Sequence, residues 1–277
     1  MTAPALLAPA PLLEVRDLSV RFETRRETVP AVRAVSFDIG AGEAVGFVGE
    51  SGSGKSVTAR AVMRLAAERA RVALTGSVRF EGRELLTLPD KAMLDIRGRR
   101  IAMVFQDPMA SLNPVMTIGA QVADILSRHT GLTRAAVRAR TIDLLAQVGI
   151  LDPRRRAEDY PHHLSGGMRQ RVMIAIAISC DPALLIADEP TTALDVLVQA
   201  QILRLLLRLR EERGTALMLI THDLAVAAGT VERVHVMHGG RIVEHGPVER
   251  IFRAPEHDYT RALLAAVPRL HAAGVGR

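Results

Sequence analysis

The sequence predicts a mixed α/β fold, with a small β portion ahead of its core and a helical insertion within it. Three observations predict this. Short apolar runs with the character of buried strands alternate with helix-like segments. Stretches of period-two alternation precede the first of those runs, and a long stretch of helical periodicity separates it from the later ones.

The elements follow in order. Met1 to Leu13 is apolar and proline-containing but has no Lys or Arg. It lacks the cationic start of a secretory signal, and residues 1–12 read as a flexible leader. Leu18-Ser19-Val20-Arg21-Phe22 alternates like a strand and breaks into the polar segment Glu23 to Thr28. Val35 to Ile39 alternates again and ends at the turn Gly40-Ala41-Gly42-Glu43. Ala44-Val45-Gly46-Phe47-Val48 is a buried strand. Val57 to Leu65, free of Gly and Pro and apolar at helical intervals, is a helix. A hairpin is expected around Gly76 to Gly82. From about Thr117 to Val148 the pattern is helical, carried by Ile118, Val122, Ile125 and Leu126, then Ile142, Leu144, Leu145 and Val148. Strands at Ala183–Ala187 and Ala216–Ile220 flank a helix from Val196 to Arg213, and the tail from His271 to Arg277 frays.

Composition sets bounds. A chain of 277 residues, 48% apolar and 24% charged, can bury a sizeable core as one large domain or two small ones. The net charge of +6 suits an anionic partner: a nucleotide, a nucleic acid or an acidic membrane surface. Aromatic content of 3% with no Trp leaves little to stack on bases. The basic runs Arg97-Gly98-Arg99-Arg100 and Arg154-Arg155-Arg156 read as solvated faces, so no nucleic-acid partner is expected. Cys180 is the only cysteine, which excludes a disulfide framework or a cysteine metal cluster within one chain and suits a reducing cytoplasm. It reads as a small core residue. No apolar stretch approaches the roughly 20 residues of a membrane helix. The expectation is a soluble intracellular protein whose membrane contact comes through a partner.

Two motifs carry chemistry. Gly49-Glu50-Ser51-Gly52-Ser53-Gly54-Lys55-Ser56 matches G-x-x-x-x-G-K-[ST] between a buried strand and a helix. Its glycines let backbone N–H groups converge on phosphates at a helix N-terminus. Lys55 would reach the β- and γ-phosphates and the Ser56 hydroxyl would ligate Mg²⁺. A plain glycine turn ahead of a helix is the alternative, and the complete match with both flanks outweighs it. The second motif is Leu184-Leu185-Ile186-Ala187-Asp188-Glu189, an apolar strand delivering two carboxylates to the edge where open α/β sheets bind ligands. Asp188 would act on Mg²⁺ through a coordinated water, and Glu189 would polarise the water attacking the γ-phosphate. Alone, this could equally be a strand entering an acidic surface turn; the phosphate loop decides for the site.

A third segment, Leu164-Ser165-Gly166-Gly167-Met168-Arg169-Gln170-Arg171, resembles the signature sequence of ATP-binding cassette (ABC) ATPases. In isolation it is a Ser-capped helix start whose glycines leave backbone donors open to an anion. Further matches follow in that family's order. Phe22 stands where an aromatic stacks on adenine, and Gln106, in Phe105-Gln106-Asp107-Pro108, resembles the glutamine contacting Mg²⁺ and the attacking water. Ala193-Leu194-Asp195 resembles the dimer-interface loop, and Thr221-His222-Asp223 the switch-histidine segment. The resemblance spans residues 13–250 and implies a P-loop NTPase (RecA-like) core with an antiparallel β subdomain and a helical subdomain inserted at about 107–165. It also implies ATP and Mg²⁺ as cofactors. Implied catalytic residues are Glu189, His222 and Gln106. Implied nucleotide contacts are Phe22, the loop Gly49 to Ser56, Ser165, Gly166, Gly167 and Asp195, and implied metal positions are Ser56, Gln106 and Asp188.

Phe105 to Pro114 and the tail Pro255-Glu256-His257-Asp258-Tyr259-Thr260-Arg261 resemble the dipeptide/oligopeptide importer branch, which includes nickel-uptake relatives. Asp258 replaces the proline of that branch's His-Pro-Tyr-Thr motif, and residues 251–277 form its tail. Many members continue with a cysteine-bearing extension, associated in some with an iron–sulfur cluster. This chain stops soon after Pro268-Arg269-Leu270 without such a cysteine, so no cluster is expected. The resemblance implies an ATPase subunit powering uptake of di- or oligopeptides, with nickel, metal-chelate or glutathione import as alternatives. Its partners would be a second ABC ATPase subunit (a homodimer or heterodimer), two membrane permease subunits and a separate extracytoplasmic substrate-binding protein. It would sit peripherally on the cytoplasmic face of the inner membrane. A soluble DNA-repair cassette would carry a long heptad insertion, which is missing between these motifs. A translation-type protein would carry two cassettes per chain, a small-molecule kinase would not need Leu164 to Gly167, and an efflux ATPase would lack the tail after Pro255.

Overall fold

The computed structural model describes residues 10–23, 27–65, 71–192 and 194–266. Most of the expected leader, the middle of the polar break at 24–26, Ala193, and the tail with Pro268 and His271 to Arg277 lie outside the described residues. The first strands are β1 (Leu13–Glu23), β2 (Thr28–Ile39) and β3 (Ala44–Val48), followed by α1 (Lys55–Val62). Next come β4 (Arg71–Phe80), β5 (Arg83–Glu84), α2 (Asp90–Ile96) and β6 (Ile101–Val104). The helical portion holds α3 (Pro108–Ser111), α4 (Ile118–His129), α5 (Arg134–Gln147), α6 (Pro153–Arg156) and α7 (Gly166–Ala177). The chain then alternates through β7 (Leu184–Asp188), α8 (Val196–Arg213), β8 (Ala216–Thr221), α9 (Leu224–Ala228), β9 (Arg233–His238) and β10 (Arg241–Pro247). It ends in α10 (Val248–Arg253) and α11 (Asp258–Ala265).

Two sheets organise these elements. One is antiparallel in the order β2-β1-β4-β5; the other runs β10-β9-β3-β8-β7-β6, parallel except for β10 at its edge. Strand β3 is apolar throughout, and β7 and β8 are apolar up to their last residues, Asp188 and Thr221, because both faces are covered. Val45 and Phe47 of β3, Leu184 and Ile186 of β7, and Met218 and Ile220 of β8 join one core with the antiparallel sheet, α1 and α2. The intervening residues Val48, Leu185, Ala187, Leu217 and Leu219 join a second core with α4, α5, α7 and α8. The layering places the C-terminal ends of β3, β7 and β8 on one edge, where the phosphate loop leaves β3.

Local chemistry sets the helix starts. Thr117 accepts from the Ala120 N–H, Thr133 from Ala136 and Ser165 from Met168, each at 3.3 Å, and Asp195 accepts from Val198 at 3.0 Å. The helical stretch expected from Thr117 to Val148 is thus two helices, separated and restarted at Thr133. The helix expected over Val57 to Leu65 instead begins at Lys55 and ends at Val62. Its end is set at Arg64, whose backbone turns into the left-handed region (φ 52°). That turn lets Arg64 N–H reach Ala61 O and Leu65 N–H reach Arg60 O, satisfying carbonyls the helix end leaves open. Among the described residues no helix is long and apolar enough to cross a membrane.

Candidate functional site

The phosphate loop wraps around its own lysine. Lys55 is buried, and its Nζ donates to the carbonyls of Gly49 and Glu50, each at 2.8 Å, and to Ser53 Oγ at 3.3 Å. Burial lowers the Lys55 pKa, opposed by the nearby carboxylates of Glu189, Asp188 and Glu50. Gly49 is required by close approach: a Cβ there would lie 2.2 Å from the Met237 carbonyl of β9, at φ +149°. Ser56 Oγ donates to Asp188 Oδ1 at 2.6 Å, joining the first turn of α1 to the end of β7.

Asp188 is fully buried, and its Oδ2 has no hydrogen-bond partner. Arg60 Nη2 stands 3.9 Å from that oxygen. Burial pushes the Asp188 carboxyl up, eased by the Ser56 hydrogen bond and the Arg60 charge. An orphaned buried carboxylate oxygen beside a serine hydroxyl is a donor set suited to a hard divalent cation. Among the described residues no group of three or more His, Cys, Asp and Glu could hold a metal on its own. The chemistry of this donor set fits a divalent cation such as Mg²⁺.

Glu189 follows β7 with φ 47°, a left-handed conformation uncommon for a side-chain-bearing residue. Its N–H is tied to Ile220 O of β8 at 3.0 Å. Three groups converge on its Oε2: Gln106 Nε2 donates at 2.9 Å, Thr192 Oγ1 donates at 2.9 Å, and His222 Nδ1 lies 3.5 Å away. The carboxylate side chain is 11% exposed, whereas His222 is 60% exposed and so has room to move. Gln106 follows β6 and His222 follows β8, so both neighbours of β7 deliver side chains to it.

The remaining expected residues lie elsewhere. Phe22 is half-buried and lines a cavity of about 300 Å³ with Val57, Ala61, Val72 and Phe105. Ser165 caps α7, and no hydrogen bond among the described residues joins Ser165, Gly166 or Gly167 to the phosphate loop. These two glycines differ. A Cβ on Gly166 would meet only Leu194 Cδ2, at 3.6 Å, whereas one on Gly167 would lie 2.7 Å from Val198 Cγ1. Asp195 spends its carboxylate capping α8. Glu50, Ser51 and Gly52 are exposed, and Ser53 is buried. Cys180 is half-buried just beyond α7, and burial raises its thiol pKa, so it is an incompletely buried packing residue.

Sequence reasoning missed three residues. Thr192 lies three residues beyond the motif that ends at Glu189, and its bond to Glu189 needs the turn that follows β7. Arg60 looked like an ordinary helix residue. Tyr259 was noted in the tail, yet its Oη accepts the Glu50 N–H at 2.9 Å, a contact across 209 residues with no local signal.

Comparison with known proteins adds to this geometry. The family model for the ABC transporter matches residues 32–192, and that for the oligopeptide/dipeptide transporter C-terminal region matches residues 243–275. The chain is 52% identical over 257 residues to a probable peptide ABC transporter ATP-binding protein of Sinorhizobium fredii, covering 93% of this chain and 77% of the relative. It is 49% identical over 263 residues to the oligopeptide transport ATP-binding protein OppD of Bacillus subtilis, covering 95% and 74%. A solved dimeric ATP-binding cassette in a post-hydrolysis state, bound to ADP and Pi, superposes with a TM-score of 0.76 at 29% identity, covering 85% of this chain and 98% of that one.

Proposed function

The chain belongs to the ABC transporter family, and from that premise we propose that it is the ATP-hydrolysing subunit of a peptide importer. One observation carries the chemical half of the reading: Gln106, Thr192 and His222 converge on Glu189 beside the Ser56–Asp188 pair. The tail match at residues 243–275 and the peptide-transport relatives support the import half.

In this reading the loop from Gly49 to Ser56 cradles the triphosphate, and Lys55 exchanges the Gly49 and Glu50 carbonyls for phosphate oxygens. Phe22 stacks on the adenine. Ser56 and Asp188 would hold Mg²⁺, and Gln106, whose amide nitrogen is engaged by Glu189, would offer its Oε1 to the cation or the attacking water. Bound there, Mg²⁺ would neutralise charge on the β- and γ-phosphates. Glu189 accepts the proton of the attacking water, and His222 moves from the carboxylate toward the γ-phosphate. Ser165, Gly166 and Gly167 present an α-helix N-terminus to nucleotide held by a second ABC ATPase subunit, like or unlike, and Asp195 borders the same interface. Two membrane permease subunits receive the motion through the helical portion, a separate extracytoplasmic binding protein delivers peptide, and the chain sits peripherally on the cytoplasmic face. No nucleic acid takes part.

Glu189→Gln tests the assignment in the purified complex. ATP should still bind and hold the two cassettes together, while hydrolysis falls by roughly 10²-fold or more through loss of the base. Equal ATP-driven dimer lifetimes in wild type and variant would remove Glu189 from this role.

A further inference from the structure

The peptide unit joining Gly49 to Glu50 is gripped from both sides. Its carbonyl accepts from Lys55 Nζ at 2.8 Å, and its N–H donates to Tyr259 Oη at 2.9 Å. The first grip is temporary in the proposed mechanism, because Lys55 must release the carbonyl to reach a phosphate. The second comes from α11, in the C-terminal segment, and nothing in the reaction displaces it.

That tyrosine is itself firmly held. Its ring packs on His238 with centroids 4.1 Å apart, and His257 caps α11 by accepting the Tyr259 N–H at 3.1 Å. The turn before α11 is pinned by the buried Glu244 carboxylate, which accepts the N–H groups of Glu256 and His257 at 2.8 and 3.0 Å. His238 in turn precedes Gly239-Gly240, and the Gly240 N–H donates to Ser53 O at 3.0 Å. The β9–β10 turn and α11 thus hold the phosphate loop at Ser53 and at Glu50.

We propose that Tyr259 is a positioning residue of the phosphate loop, through which the C-terminal segment sets the affinity of the site for ATP. When Lys55 leaves, the Glu50 N–H bond to Tyr259 keeps the first peptide of the loop oriented, so its loss weakens the bound form more than the empty one. Linkage makes the effect reciprocal: nucleotide binding changes the surroundings of Tyr259, and any displacement of α11 changes ATP affinity. The proposal rests on the nucleotide-site reading above.

The test uses the full-length chain with MgATP. Tyr259→Phe removes only the hydroxyl, and loss of one ordinary net hydrogen bond should raise the Kd for MgATP about fivefold. The melting temperature should fall further with saturating MgATP than without nucleotide, because the bond matters more in the bound form, which separates a positioning role from a purely structural one. Wild-type affinity in Tyr259→Phe would overturn the proposal, and so would equal falls of the melting temperature with and without MgATP. The chain has two tyrosines and no tryptophan, so Tyr160→Phe leaves Tyr259 as the only tyrosine to be excited above the phenylalanine absorption. MgATP should change its emission intensity in that background, and unchanged intensity at saturating nucleotide would count against the coupling. Lys55→Ala is the control for the underlying reading. Undiminished MgATP binding there would reject the nucleotide site itself, whereas lost binding there with unaltered Tyr259→Phe rejects only the role of Tyr259.

Discussion

Replacing His235 by Phe tests the core that supports the phosphate-loop strand. His235 lies on β9 directly opposite Phe47 of β3, 3% exposed, with its ring 4.9 Å from Phe47, 5.8 Å from Phe37 and 5.7 Å from His245. Neither ring nitrogen has a hydrogen-bond partner. Burial, with smaller contributions from the His245 and Arg233 charges, lowers its pKa from 6.5 to about 3, against a weak opposing pull from Asp38. The sign follows from proton binding. Below the unfolded value of 6.5 the unfolded chain holds a proton that the folded chain refuses until about pH 3. Stability from this residue is therefore complete above pH 6.5 and is lost progressively as pH falls toward 3. Between about pH 7.5 and about pH 5 the loss amounts to ~2 kcal/mol, from one and a half pH units at about 1.4 kcal/mol each. His235→Phe fills a similar volume among aromatic rings without buried orphan nitrogens, so it should be at least as stable near pH 7.5 and should lose ~2 kcal/mol less on acidification. Urea denaturation of both proteins at the two pH values measures the difference, and other titrating groups cancel in the comparison. Parallel pH dependences for the two proteins would refute the argument.

Other outcomes follow from the site. Lys55→Ala should weaken MgATP binding and cut hydrolysis by roughly 10²-fold or more, read by calorimetry and phosphate release; Phe22→Ala should raise the ATP KM about tenfold, as for a lost base stack, with kcat less affected. Asp188→Asn removes the carboxylate that would hold the cation, so Mg²⁺-dependent ATP binding should be lost; wild-type MgATP affinity in the variant, measured by calorimetry, would contradict this. Gly166→Asp should leave ATP binding by the isolated chain unchanged, because its Cβ meets only Leu194 at 3.6 Å, yet block hydrolysis in the assembled complex by placing negative charge before the α7 N-terminus. Site-specific nucleotide crosslinking should show lost occlusion at the second subunit's phosphate loop; loss only at this chain's own Lys55 would refute the shared site.

What the sequence showed depended on how local the cause was. Helix α8 was legible end to end, from Val196 to Arg213, because its limits are local: Asp195 caps the start and Gly214, at φ 63°, closes the end. Strand β3 was legible because a run buried on both faces needs no knowledge of its neighbours. The end of α1 was not, because Arg64 is held in its left-handed turn by guanidinium bonds to the Leu85 and Leu88 carbonyls and to Asp90. Likewise the motifs around Gln106, Glu189 and His222 could be read in order, but their meeting follows from β6, β7 and β8 lying side by side. The Tyr259–Glu50 bond is the extreme case, since no periodicity or spacing connects α11 to the phosphate loop.

The polar groups of the site specify what it takes up. Asp188 Oδ2 is buried without a partner. Lys55 is a buried cation satisfied by main-chain carbonyls that suit it less well than phosphate oxygens would. A bare anion at this site would answer Lys55 and leave Asp188 worse off, because it would add negative charge beside a carboxylate already disfavoured by burial. A bare cation would answer Asp188 and repel Lys55. Only a ligand that brings a cation and phosphate oxygens together relieves both, which is the physical reason a metal–nucleotide complex suits this site better than either component alone.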